Sequence, residues 1–189
     1  MYGGVSIDAE AGQRELGTTP TELELVFDAR DYDEFFTREY PRLVTLLTAV
    51  TGHRGVAEEL AQEALIRAHQ RWRRISRYDL PAAWLRRVAL NLASNHRARR
   101  RTEEQMLRRL GNERHGDPAG GGDAGFWALV RRLPDRQGAA VALYYLEDRP
   151  VTEVAKILGC AEGTAKAHLH KGRATLARLL DDPEAPDGA

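Results

Sequence analysis

The stretch Pro150-Val-Thr-Glu-Val-Ala-Lys-Ile-Leu-Gly-Cys-Ala-Glu-Gly-Thr-Ala-Lys-Ala-His-Leu-His-Lys-Gly-Arg173 contains two runs of helical period separated by a glycine. Val154, Ala155 and Leu158 fall on one face of the first run, and Ala165 and Leu169 on one face of the second. Gly159 stands where the chain must turn, with Cys160, Ala161 and Glu162 completing the turn, and the small Ala155 permits a close crossing. The spacing predicts a helix-turn-helix whose second helix is free to enter a major groove. The outer face of that helix carries Thr164, Lys166, His170, Lys171 and Arg173, side chains that pair with phosphates and base edges. His168 and His170, two apart on a helix, cannot chelate one metal from one face, and with Cys160 they make no zinc spacing. No metal or other cofactor is expected. Cys160 reads as a small buried turn residue.

Working upstream, Phe126, Leu129, Val130 and Leu133 predict a short amphipathic helix that stops at Pro134, and Val141, Leu143, Tyr144 and Leu146 predict a second. The stretch 111–125 holds six glycines and a proline, a composition that does not repay its ordering entropy, so 103–125 reads as a flexible linker. Its triple glycine lacks the Gly-Lys-Ser/Thr ending of a phosphate loop. Residues 1–28 show no sustained period and read as a mobile arm, and 181–189 as an acidic tail. The chain thus divides into a domain at 29–102, the linker, and a domain at 126–180.

The first of these domains is also helical. Phe36, Tyr40, Leu43, Leu47 and Val50 recur on one helical face, with Pro41 predicting a kink or a restart and Gly52 a stop. Ala57, Leu60, Ala61, Ala64, Leu65, Ala68 and Trp72 form the stripe of a second helix, and Pro81 opens a third whose core face is Trp84, Leu85, Val88 and Leu92. Glu58, Glu59, Gln62 and Glu63 make an acidic face on the second helix. That face reads either as a solvated surface or as a docking site for a basic partner. Arg87, Asn91 and Asn95 line one face of the third, followed by Arg97, Arg99, Arg100 and Arg101 and preceded by Arg67, Arg71, Arg73, Arg74 and Arg77. Arginines neutralise phosphates, and Asn amides both donate to and accept from bases. Trp72 and Trp84 fit the core by spacing, whereas Tyr78 lies in the loop, where it is free to stack on a base. No alternating run predicts a strand, so the chain is expected to be all-α, two small helical domains joined by a linker.

Length and charge agree with that division. The chain has 189 residues, 42% of them hydrophobic, with 28 basic and 28 acidic side chains. The net charge of zero conceals its arrangement: residues 31–102 carry +6 and 126–180 carry +4, offset by −4 on 1–30, −2 on 103–125 and −4 on 181–189. Residues 67–101 hold 11 arginines against the single Asp79. Such asymmetry is the electrostatic footprint of a nucleic-acid binder. One cysteine excludes a disulfide framework, and no apolar run is long enough to span a membrane. The N-terminus has neither the basic nor the apolar segment of a secretory signal, so a cytoplasmic location without membrane insertion is expected. No nucleophile–base pair or phosphate loop points to an enzyme.

Residues 57–72 (Ala-Glu-Glu-Leu-Ala-Gln-Glu-Ala-Leu-Ile-Arg-Ala-His-Gln-Arg-Trp) resemble the core-binding segment of region two of bacterial RNA polymerase sigma factors of the extracytoplasmic-function (ECF, group IV) type. Residues 83–97 (Ala-Trp-Leu-Arg-Arg-Val-Ala-Leu-Asn-Leu-Ala-Ser-Asn-His-Arg) are similar to the segment that recognises and melts the minus-ten element. Leu133-Pro-Asp-Arg-Gln137 with the helix-turn-helix is similar to region four. The resemblance spans about 150 residues around the linker. It implies that Glu59, Leu60, Gln62, Glu63 and Arg67 dock on the clamp coiled coil of core polymerase. It implies that Arg74, Tyr78, Arg87, Asn91, Asn95, Arg97 and Arg99 hold the opened minus-ten strand. It further implies that Thr164, Lys166, Ala167, His170, Lys171 and Arg173 read the duplex minus-thirty-five element, with region four seated on the polymerase flap. An anti-sigma factor is a common partner in that family, though no residue of this sequence points to one. Gly138 departs from the pattern, standing where a basic residue is usual after Leu-Pro-x-Arg-Gln. The alternative is a helix-turn-helix regulator that binds duplex operator without polymerase, against which the arginine- and asparagine-rich third helix speaks.

Overall fold

The computed structural model describes residues 22–109 and 125–181, with side chains from Asp31 onward. The described residues form eight α-helices and no strand: α1 (Glu22–Thr51), α2 (Arg54–His69), α3 (Trp72–Ile75), α4 (Pro81–Arg109), α5 (Phe126–Arg132), α6 (Asp135–Tyr145), α7 (Val151–Leu158) and α8 (Glu162–Asp181). Most of the expected arm, the glycine-rich part of the expected linker and nearly all of the expected tail lie outside the described residues.

Helix α1 buries Phe35, Leu43, Leu46, Leu47 and Val50, a stripe at helical spacing. It starts at Glu22, inside the segment expected to be an arm, and Pro41 does not restart it. Thr45 and Thr48 return their hydroxyls to the carbonyls of Pro41 and Val44, which keeps these polar side chains satisfied within the helix. Gly52 ends the run at φ 80°, a left-handed turn that a glycine adopts without strain. Helix α2 then presents Ala57, Ala61, Ala64 and Ala68 to its neighbours, so that α1 and α4 approach closely. Trp72, opening α3, packs its ring 4.8 Å from Phe35 and 5.3 Å from Tyr32, which settles it as core.

Helix α4 begins with Pro81 in its first turn, where a missing N–H costs nothing. It continues to Arg109, seven residues past the boundary expected at 102. The spacing of Arg100 and Glu104, an i,i+4 pair, supports that extension.

In the second half, α7 and α8 form the expected helix-turn-helix. Gly159 turns at φ 67°, and the Cys160 N–H donates to the Ala155 carbonyl across the turn. Gly172 allows α8 to cross α6, since a Cβ there would stand 3.0 Å from a Val141 methyl. Gly138 answers a similar need: a Cβ at that position would meet the Val130 carbonyl oxygen at 3.1 Å. The two halves do not stand apart. Helix α1 packs on α5 and α6, and α4 on α7, so that one apolar cluster runs from Phe35 through Leu90 and Val130 to Leu176.

Candidate functional site

Helix α8 buries Ala165, Leu169, Gly172, Leu176 and Leu179. Its remaining face turns Thr164, Lys166, Ala167, His170, Lys171 and Arg173 outward, all of them exposed. Lys166 pairs with Glu162 one turn earlier at 2.7 Å, an exposed contact that a phosphate can replace. Arg173 is held differently. Its guanidinium lies 5.1 Å from the ring centre of Tyr144 and 5.4 Å from that of Tyr145. Two rings from α6 thus fix the direction of an arginine on α8.

A second surface lies on α2. Glu59, Gln62, Glu63 and Arg67 are exposed along one face, with Arg67 and Glu63 paired at 2.5 Å. Leu60 does not belong to that face: it is 8% exposed and packs in the core, because its register matches Ala57, Ala61 and Ala64. Ile66, 57% exposed and three residues from Glu63, takes the apolar place on this surface instead. Sequence reading missed it, although its i+3 and i+4 relation to Glu63 and Gln62 was available.

The third surface is on α3, α4 and the loop between them. Arg74, Tyr78 and Arg99 are exposed, as are Asn91 and Asn95 one turn apart. Arg87 and Arg97, expected beside them, are occupied. The Arg87 guanidinium donates to the carbonyls of Ile157, at 3.1 Å, and Lys156, at the C-terminal end of α7. Arg97 donates to Asp135 at 2.6 Å and to the Val50 carbonyl, while the Ser94 hydroxyl donates to the other Asp135 oxygen at 2.6 Å. Between helix α4 and the α5–α7 layer lies an open cleft of about 400 Å³ whose wall includes Asn91, Asn95, Asp135 and Arg136. Arg131 reaches back toward the Ala49 carbonyl; burial, and then the charge of Arg97, push its guanidinium below its ordinary pKa.

One further cluster was invisible in the sequence. Arg86, 1% exposed, donates to Glu39 of α1 at 2.8 Å and to Glu147, in the α6–α7 turn, at 2.5 Å. Burial works against the Arg86 charge, but hydrogen bonds and attraction from Glu147 and Glu39 outweigh it and raise the pKa. Burial likewise opposes ionisation of Glu39, yet the hydrogen bonds of Arg38 and Arg86 hold its carboxyl below the ordinary range. Glu147 has a second cation, Arg149, at 3.4 Å. Its partners lie 47 and 61 residues from Arg86, so nothing local distinguishes this arginine from its exposed neighbour.

Among the described residues, no group of His, Cys, Asp and Glu could hold a metal ion, and no helix is long and apolar enough to cross a membrane. Residues 35–103 match the family model for sigma-70 region 2, and residues 125–176 the model for sigma-70 region 4. An RNA polymerase sigma-E factor of Streptomyces avermitilis is 33% identical over 138 residues, covering 69% of this chain and 73% of that one. The ECF RNA polymerase sigma factor SigM of Mycobacterium tuberculosis is 28% identical over 159 residues, with 81% and 79% covered. Among solved structures, the sigma factor RpoE of Bartonella quintana, seen with the anti-sigma factor NepR, shares the fold. Its TM-score is 0.62 at 21% identity, over 81% of this chain and 98% of that one.

Proposed function

The chain belongs to the sigma-70 family of RNA polymerase sigma factors, ECF type, and from that premise we propose how its three surfaces serve promoter-specific initiation. The α2 face, with Glu59, Gln62, Glu63, Arg67 and the exposed Ile66, docks on the clamp coiled coil of core polymerase. Its mixed charge and one apolar side chain suit a basic, amphipathic partner helix. Helix α8 enters the duplex at the minus-thirty-five element, with Lys166 and Lys171 on phosphates and Arg173 and His170 toward base edges. Helix α4, with Arg74 of α3 and Tyr78 of the loop between them, takes the opened minus-ten strand, with Asn91 and Asn95 on unstacked bases and Arg99 on the backbone.

No bond chemistry is assigned to this chain's own side chains. Melting on this reading is driven by binding: a base leaves the stack because the protein holds it better outside. The observation that carries the reading is the separation of two exposed cationic faces, α8 suited to duplex and α4 with Tyr78 suited to single strand. Run-off transcription tests it. Core polymerase supplemented with the full chain should initiate at a cognate promoter. A chain that binds core yet never starts a transcript would overturn the reading.

A further inference from the structure

We propose that the recess between the α1–α2 corner, the second half of α4 and α5 is a binding site for a diphosphate group, either free pyrophosphate or the diphosphate of a nucleotide. The recess measures about 250 Å³ and is open on one side. Its wall brings together His53, His96, Arg97, Arg100, Arg101 and Arg131 against the single carboxylate of Glu104. Ala93, His96, Arg100 and Glu104 follow one another at helical spacing on α4. At about 3.6 residues per turn, that face lies roughly opposite Asn91, Asn95 and Arg99. These cations therefore belong to a surface other than the one assigned to the minus-ten strand.

Positive charge in this recess is left unanswered. Arg97 is committed to Asp135 at 2.6 Å, and Arg100 meets Glu104 only at 3.5 Å, an exposed contact that a phosphate can replace. Among the described residues, no carboxylate pairs with Arg101 or Arg131. Arg131 is the informative one. It is half-buried against Gly52, where a Cβ would stand 2.8 Å from its Nε, and its Nη1 reaches the Ala49 carbonyl only at 3.5 Å. Burial, and then the charge of Arg97, disfavour its cation, the reverse of what a structural ion pair does. Crowded cations of this kind oppose the ligand-free fold, and an entering anion reverses the sign of the interaction. The start of α2 reaches the same wall through His53 and Val56. It has no side-chain cap and no acidic residue in its first turn, so its amide N–H groups add to the positive potential. A diphosphate, with about three negative charges near neutral pH, matches Arg100, Arg101 and Arg131. A duplex backbone is convex and reaches protruding arginines, whereas Arg131 is withdrawn into the recess.

The test is titration calorimetry and thermal unfolding of the full chain with inorganic pyrophosphate, with ADP and GDP, and with sulfate at equal ionic strength. At a pyrophosphate concentration tenfold above its dissociation constant, the unfolding midpoint should rise by about 3–6 °C, and sulfate should not reproduce the rise. Tighter binding of the nucleoside diphosphates assigns the site to a nucleotide; equal or weaker binding assigns it to the free anion. Arg131→Gln, and the double variant Arg100→Gln, Arg101→Gln, should each weaken pyrophosphate binding about tenfold or more. The charge control, Arg73→Gln with Arg77→Gln, removes two exposed arginines elsewhere and should bind as the parent does. Without ligand, Arg131→Gln should unfold no earlier than the parent, because it relieves the crowding with Arg97; loss of a purely structural arginine would lower the midpoint. A rise equalled by sulfate, recess variants that bind as the control does, or a lowered ligand-free midpoint in Arg131→Gln would overturn the proposal. So would recess variants that lose affinity for a short duplex while the parent ignores pyrophosphate, which would make these arginines backbone contacts. None of these measurements involves polymerase or a promoter, so their failure is distinct from failure of the promoter reading.

Discussion

The Arg86 guanidinium lies 2.8 Å from the Glu39 carboxylate with both side chains withdrawn from water, joining the second turn of α4 to the middle of α1 across 47 residues of sequence. Glu147 accepts from the Nε of the same guanidinium at 2.5 Å, where Glu39 accepts from Nη1. A buried cation between two carboxylates is a structural commitment rather than a DNA contact, even though it sits one residue from Arg87.

Removing the cation should therefore be costly. Arg86→Ala takes from the Glu39 and Glu147 carboxylates the buried cation they share, and the loss of one partner from a buried pair is worth about 3–5 kcal/mol. Urea unfolding at neutral pH should show a loss of that order. Arg87→Ala, whose guanidinium rests on carbonyls at the surface, should cost about 1 kcal/mol or less. Equal losses for the two would show that Arg86 is not the buried keystone its geometry makes it.

The same cluster sets a pH dependence. The Glu39 carboxyl ionises below its ordinary value of 4.5 in the folded chain, because Arg38 and Arg86 outweigh the effect of burial. A depressed carboxylate contributes stability that is fully present above its unfolded pKa and is lost as pH falls through the folded one. The urea midpoint should thus be insensitive to Glu39 near pH 7 and decline below pH 4.5. Glu39→Gln should start lower and decline less over that acid range. Parallel curves for parent and variant would show that Glu39 does not carry the acid sensitivity.

How much of this was legible in the sequence follows from how local each feature is. The helix-turn-helix was readable because everything it needs lies within 24 residues: two apolar faces and a glycine that reaches φ 67°. The start of α4 was readable from Pro81 for the same reason. Its continuation to Arg109 was not, since a run of arginines and glutamates carries no apolar period to mark an end. The roles of Arg86, Arg87 and Arg97 were indistinguishable in an arginine-rich helix. One is buried between acids, one caps α7 and one pairs with Asp135, and each partner comes from a distant element. Spacing places Leu60 in the apolar stripe of α2, where the structure has it; its docking role came from the resemblance alone.

Gly138, which departs from the family's pattern, follows from the packing of α6 against α5. A Cβ there would stand 3.1 Å from the Val130 carbonyl oxygen, a backbone atom held by its own helix. Restoring a basic residue with Gly138→Arg should therefore destabilise region four by about 1–3 kcal/mol, the usual cost of overpacking. Thermal unfolding followed by circular dichroism measures it. An unchanged or raised midpoint would show that α5 yields freely, and that the glycine answers to something other than space.

Arg173 offers the most direct reading of α8. Its guanidinium is braced by Tyr144 and Tyr145, so its direction is fixed before DNA arrives and little side-chain freedom is lost on binding. Arg173→Ala should weaken binding to duplex bearing the upstream element by about 1–3 kcal/mol, roughly tenfold or more, if the arginine reads a base edge. Tyr145→Leu, which removes the more exposed ring and leaves the arginine, should cost a smaller part of that loss. The affinity of the polymerase holoenzyme for promoters with intact and scrambled upstream elements separates the two roles. A base contact makes the Arg173→Ala penalty large on the intact element and small on the scrambled one. Equal penalties on both would assign Arg173 to the phosphate backbone.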